Sequence, residues 1–154
     1  MVRLYRLVRR KHTKPADLLS GQGAALVGGR WNEKGTRLVY ATSHVSLALV
    51  EALVHAQALP RDMMLVELSI PDAARIDRWP TGRLPADWAT YPAPASTQRM
   101  GSAWARAARA LAVWVPSVVV PSEWNCLINP AHADIRSVTA KVSGPFRFDS
   151  RLRP

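Results

Sequence analysis

The sequence predicts one α+β domain over its 154 residues, and three observations predict it. The length suits one domain with a sizeable core. The composition, 48% hydrophobic and 21% charged, is that of a soluble globular chain. Apolar stretches of strand length mix with helical ones, without the regular βαβ alternation of a doubly wound sheet.

The elements follow in order. "RLYRLV" reads as a first strand. Residues 12 to 36 read as irregular, punctuated by Gly21, Gly23, Gly28, Gly29 and Gly35. "RLVYA", 37 to 41, reads as a strand. Ser43 is placed to cap a helix from about His44 to Leu59, stopped by Pro60. That helix is apolar almost all the way round and so should be buried. "MMLVELSI", bounded by Pro71, fits a strand. Residues 71 to 97 hold many of the 12 prolines and read mostly as loop, with a short helix near "PADW". "TQRMGSAWARAARALAV" fits a helix, "VPSVVVP" a short buried strand, and "IRSVTAKV" another strand.

Composition excludes several function classes. The longest strongly apolar run lies within residues 45 to 59, and Glu51 and His55 interrupt it. It is too short and too polar for a transmembrane span. "MVRLYRLVRRKH" carries basic residues but no apolar signal core. One cysteine, Cys126, cannot form an internal disulfide. The expected location is the cytoplasm. Net charge is +10, concentrated early: residues 1 to 37 hold nine Lys/Arg and two acids, Asp17 and Glu33. Such a field attracts nucleic acid, an acidic partner or a phosphate-bearing small molecule. Zinc-finger spacing, an aromatic RNA-binding signature and a helix-turn-helix are all missing, so nucleic-acid binding is not the expected main task.

Four residues carry chemistry. In "GGRWNEKGTRLVY", Gly28 and Gly29 let the backbone turn tightly and aim Arg30, whose guanidinium can grip a phosphate bidentately. Tyr40, at a strand end, can stack on a flat ring. Glu51 sits mid-helix among Leu49, Val50, Ala52 and Leu53; a buried carboxylate needs a partner or a pocket. Ser117 lies in an apolar run, where a hydroxyl often bonds neighbouring backbone. His44 and His55 flank Glu51, but no H-E-x-x-H spacing or cysteine cluster supports a metal. "GQGAAL" opens like a dinucleotide fingerprint and fails at Leu26. Together, Arg30, Tyr40, Glu51 and Ser117 are what a site needs to bind NAD and break its nicotinamide–ribose bond. The leaving nicotinamide departs neutral, so no general acid is required. A carboxylate beside the ribose C1 stabilises the developing positive charge. Two rival readings remain: a serine hydrolase built on Ser117 with His55 or His132, and a non-enzymatic basic binding module.

The chain also resembles the RES-domain toxins of bacterial toxin–antitoxin modules. The stretches are "LYRL", "GGRWNEKGTRLVYATS", "SLALVEALVH", "LPADW", "GSAWARAARALAVWVPSVVVPSEWNCLINPAH" and "PFRFDSRL", in the family's order from about residue 4 to 152. The resemblance implies that Arg30, Glu51 and Ser117 are the naming residues. It implies that Arg6 is the family's first arginine, Tyr40 an aromatic pocket residue, and Asn125 a recurrent asparagine at the cofactor. Cys126 departs from the aromatic expected next. The implied fold resembles ADP-ribosyltransferases of the diphtheria-toxin type, with a split mixed sheet, flanking helices and an NAD cleft. The implied activity consumes NAD by hydrolysis or phosphorolysis, or transfers ADP-ribose to a protein such as phosphoribosyl pyrophosphate synthetase. The implied partner is an Xre-like helix-turn-helix antitoxin that covers the active site and carries the complex to DNA; a homodimer within that complex is allowed. In that setting Arg6 and Arg30 hold the pyrophosphate or ribose side, Tyr40 packs on nicotinamide, Glu51 stabilises the ribose cation, and Ser117 orients the ribose, the carboxamide or Glu51. Trp31 fits core packing or ligand contact, and His55 and His132 read as structural.

Overall fold

The computed structural model describes residues 1–153. Its elements are β1 (Val2–Arg9), α1 (Pro15–Leu18), α2 (Gln22–Val27), β2 (Val39–Thr42), α3 (Val45–Val54), β3 (Met63–Ile70), β4 (Ile76–Arg78), α4 (Ala95–Ala107), β5 (Ala112–Pro116), β6 (Trp124–Ile128) and β7 (Thr139–Phe146). The strands form one seven-stranded mixed sheet in the order β4-β5-β6-β2-β1-β3-β7. β4 and β5 run parallel; the other neighbours are antiparallel. β1 follows β3 over its whole length, from Val2↔Ile70 to Arg9↔Met63. It meets β2 at a single pair, Tyr5↔Thr42. The sheet is thus nearly divided there, which is the split the family resemblance implies.

Each face of the sheet carries its own core. One cluster joins Leu4 and Val8 of β1, Val66 and Leu68 of β3, Val39 and Ala41 of β2, and Cys126 and Ile128 of β6. The other lies on the opposite face of β2, β5 and β6. It joins Trp31, Leu38, Trp79, Val113, Val115 and Leu127 beneath Ala105 of α4. Residues alternating between two buried faces give a strand no polar side. The sequence pattern alone therefore cannot distinguish such a strand from a buried helix segment.

That ambiguity accounts for one departure from the expected elements. The helix expected through "ARALAV" stops at Ala107, where Ala108 takes φ 48 and its N–H reaches back to the Trp104 carbonyl. Residues Ala112–Pro116 are then β5, and Ser117 falls just beyond that strand rather than inside it. After residues 117 to 123 comes β6, which the sequence pattern does not announce, and neither does it announce β4. The stretch read as irregular contains two short helices, α1 and α2. "PADW" forms a turn, with a 3₁₀ turn at Thr81–Arg83 before it. "IRSVTAKV" is divided between a 3₁₀ turn at Ala133–Ser137 and β7.

α3 departs twice more. It ends at Val54, because the chain must reverse within a few residues to enter β3, with Asp62 at φ 57. Only Leu47 and Ala48 are buried, and Val54 is 54% exposed. The helix packs on β1 and β2 with one side and leaves the other open. Ser43 does not cap it; its hydroxyl is paired with His44 Nδ1 at 2.9 Å.

Candidate active site

β2 delivers the chain to α3 on one side of β6, and the β5–β6 hairpin delivers Ser117 and Asn125 to the same place. Thr42 lies opposite Asn125 in register, and Tyr40 opposite Leu127. Tyr40 and Asn125 therefore share one face of adjacent strands. Asn125 Nδ2 donates to Glu51 Oε1 at 2.7 Å. Ser117 Oγ donates to the same oxygen at 2.8 Å. Ser117 is fully buried, and its hydroxyl also accepts the N–H of Val119 at 3.1 Å and of Val120 at 3.0 Å. One donor and two acceptor sites are all a hydroxyl has, so Ser117 is saturated. Among the described residues no histidine bonds it, and its proton is directed at a carboxylate. The arrangement holds one oxygen of Glu51 with two donors and leaves Oε2 without a protein hydrogen bond. Asn125 keeps a buried Oδ1 with no partner.

Arg30 is set by a more elaborate scaffold. Gly28 ends α2 at a positive φ of 74, which favours glycine. At Gly29 a Cβ would stand 2.6 Å from the Tyr40 hydroxyl oxygen and 2.9 Å from Asn32 Oδ1, so only glycine fits. The Tyr40 hydroxyl donates to Asn32 Oδ1 at 2.6 Å and accepts the Trp31 N–H at 3.0 Å. Buried Asn32 donates through Nδ2 to the carbonyls of Ala24, Glu33 and Thr36. From α4, Gln98 Nε2 reaches the Gly29 carbonyl at 3.1 Å, and Ser102 Oγ accepts the Glu33 N–H at 2.9 Å. Asn32, Gln98 and Ser102 were not singled out from sequence. Their one signal is polar residues inside otherwise packable stretches.

The guanidinium of Arg30 donates both Nη1 hydrogens, to Trp88 O at 2.8 Å and Thr90 O at 2.7 Å. Nε and Nη2 remain, and that side edge still offers the two parallel donors a phosphate or carboxylate takes. Burial lowers the pKa of Arg30; the charge of Glu51 and the nearby Tyr40 oppose that shift. Burial likewise pushes the Tyr40 phenol well above its ordinary range. Tyr40 is therefore neutral, its hydroxyl used on the loop, and only its ring is left to offer.

The remaining predicted residues are placed as follows. Arg6 is not among the groups around Glu51. It pairs in register with Val66, on the face of the first cluster, and donates Nη1 to the Leu18 carbonyl at 3.0 Å. Its Nε is buried without a partner, and burial pulls its pKa down to about 10. Trp31 is 2% exposed and packs against Trp79 with ring centroids 5.7 Å apart, which makes it a core residue. His132 Nδ1 accepts the Asp134 N–H at 3.1 Å at the start of a 3₁₀ turn. His44 faces Ser43 and, at 3.9 Å, Glu123. No three His, Cys, Asp or Glu side chains gather as a metal site among the described residues. Cys126 fills a buried place in the first cluster where an aromatic was expected, and burial raises its thiol pKa far above the ordinary range. No helix is long and apolar enough to cross a membrane among the described residues.

Comparison with known proteins is consistent along the chain. The family model described as RES domain matches residues 3–149. The chain is 41% identical over 152 residues to a "Prs ADP-ribosylating toxin" of Sphingobium sp. (strain YBL2), covering 96% of this chain and 94% of that one. It is 38% identical over 157 residues to a "Toxin Res" of Yersinia enterocolitica serotype O:8, covering 97% and 99%. Among solved structures, a chain of the M. tuberculosis MbcT-MbcA toxin–antitoxin complex shares the fold with a TM-score of 0.68 at 20% identity, covering 92% of this chain and 84% of that one.

Proposed function

We propose, because the chain belongs to the RES-domain family, that it is the toxin of a toxin–antitoxin module and that it binds NAD and cleaves the nicotinamide–ribose bond. The observation that carries the reading is the two-donor clamp on one oxygen of Glu51. A carboxylate fixed in this way does not have to reorganise as charge appears beside it, and such preorganised groups are where enzymes gain most. Ser117 and Asn125 act as positioning residues. The free Oε2 faces the ribose, bonds a hydroxyl and stabilises the positive charge at C1 as neutral nicotinamide leaves. Arg30 takes the pyrophosphate or ribose side through Nε and Nη2. Arg6, enclosed on the opposite face of the sheet and bonded to the Leu18 carbonyl, is left out of the substrate contacts that the resemblance implied for it. The ring of Tyr40 packs on nicotinamide.

The acceptor of ADP-ribose is water, phosphate or a protein side chain; all three use the same donor site. The name of the Sphingobium relative, a Prs ADP-ribosylating toxin, favours a protein acceptor of the phosphoribosyl pyrophosphate synthetase kind. An Xre-like helix-turn-helix antitoxin is the proposed partner, covering the Glu51 site, reaching DNA on the toxin's behalf and allowing a toxin homodimer within the complex. The cytoplasm is the proposed location. The test is mass spectrometry of purified protein with NAD, with and without phosphate, and then in lysate. Free nicotinamide should appear, and the fate of ADP-ribose identifies the acceptor. Soluble protein that releases no nicotinamide under all three conditions would sink the reading. A fluorophosphonate probe should leave Ser117 unlabelled, as its saturated hydroxyl requires.

A further inference from the structure

The segment before α4 is ordered by several hydrogen bonds, yet it presents an aromatic side chain to solvent. Residues 85 to 91 belong to no strand, but they are firmly held. Arg30 donates to the carbonyls of Trp88 and Thr90. Thr90 returns its N–H and its hydroxyl to the Asp87 carbonyl, at 3.0 and 2.9 Å. Ser96 Oγ donates to Asp87 Oδ1 at 2.5 Å, and Trp88 packs against the second cluster. At the end of this held segment Tyr91 is 86% exposed. It is the most exposed of the large hydrophobic residues described. Isolated exposed apolar residues need no explanation. This one differs, because the guanidinium offered to the pyrophosphate grips the residue just before it. Consecutive Cα atoms are about 3.8 Å apart, so the backbone of Tyr91 is tied, through Thr90, to the same guanidinium that is offered to the anion.

We propose that Tyr91 is the stacking platform for the adenine of NAD, with Arg30 fixing the distance between pyrophosphate and base. The proposal rests on the NAD reading above and adds the residue that recognises the half of the substrate remote from the bond that breaks. A purine presents a flat π face to a tyrosine ring, and such stacking is sequence-tolerant and substantial. Arg30 then has two tasks in one guanidinium. Nη1 sets the platform, and Nε with Nη2 takes the phosphates.

The test uses the full chain and two probes, ADP and inorganic pyrophosphate, with binding measured by calorimetry. ADP should bind the wild type more tightly than pyrophosphate does. Tyr91→Ala should weaken ADP binding on the order of five- to tenfold, the scale of one base–aromatic stack, and leave pyrophosphate unchanged. Tyr91→Phe should bind both as the wild type does. Three results would overturn the proposal: no ADP advantage in the wild type; an alanine variant that binds ADP normally; or equal loss of both probes, which would place the effect in Arg30. An alanine variant that binds ADP normally but no longer binds the antitoxin would assign Tyr91 to a protein interface instead. Nicotinamide release by the wild type, measured in parallel, tests the NAD reading separately.

Discussion

At the scale of single residues, the asymmetric treatment of Glu51 makes the clearest prediction. In Glu51→Gln the amide oxygen can still accept both the Ser117 hydroxyl and the Asn125 amide, while the free position loses its charge. The melting temperature should hardly move, and turnover should fall about 10²–10³-fold. NAD binding should change far less, since positive charge develops mainly in the transition state. A destabilised variant with normal specific activity would make Glu51 a structural carboxylate. Arg6 makes the opposite kind of prediction. Burial disfavours its charged form, and at neutral pH it is charged in folded and unfolded chains alike, so its burial is a steady cost to stability. Arg6→Met should therefore melt at the same temperature or higher, and bind NAD as the wild type does, because the side chain lies on the face of the sheet away from Glu51. A stable variant with clearly weakened NAD binding would place Arg6 at the substrate instead. Of these residues, Arg30, Tyr40, Glu51 and Ser117 could be picked from sequence as carriers of chemistry. That Ser117 is spent on Glu51 and two backbone N–H groups could not, because saturation of a hydroxyl depends on where a turn folds back.

At the scale of elements, α4 acts as the template for the arginine loop. It contributes Gln98 and Ser102 as hydrogen-bond partners and Gly101 as a bare patch of backbone. A Cβ on Gly101 would sit 1.7 Å from the Trp31 carbonyl oxygen. Gly101→Ala must therefore separate the helix from the loop. A loss of about 1–3 kcal/mol is expected, the range for overpacking a core, and NAD affinity should drop as Arg30 is displaced. Denaturant unfolding and NAD titration on the same protein check both. A variant with unchanged stability would mean the loop yields without resistance. The helix itself was readable from sequence, though not its end at Ala107. Its docking partner was not, because the loop is 69 residues away from Ser102 in sequence. A different cause hid β6: a strand buried on both faces and bearing a site asparagine has no alternation to display.

At the scale of the whole molecule, the function ascribed to the site implies a phenotype. Strong expression of the chain alone should lower cellular NAD and arrest growth, and co-expression of the cognate antitoxin should restore both. Normal growth with verified soluble protein would count against a toxin. The α+β class and the family's motif order were legible from end to end. The near-division of the sheet at Tyr5↔Thr42 entered only as an implication of the family, since strand pairing between distant segments leaves no mark in a single sequence. One feature of the core has a practical use. Cys126 is the chain's single thiol, fully enclosed one residue beyond the clamp on Glu51 and on the other side of the sheet. An alkylating reagent can reach it only when the β2–β6 pairing opens. Iodoacetamide should modify the native protein no faster than that region unfolds, and rapidly in denaturant. Labelling followed by intact-mass spectrometry would then serve as a stopwatch for the opening of the β2–β6 part of the sheet. Slower labelling in the presence of antitoxin or NAD would measure how far each holds that part shut.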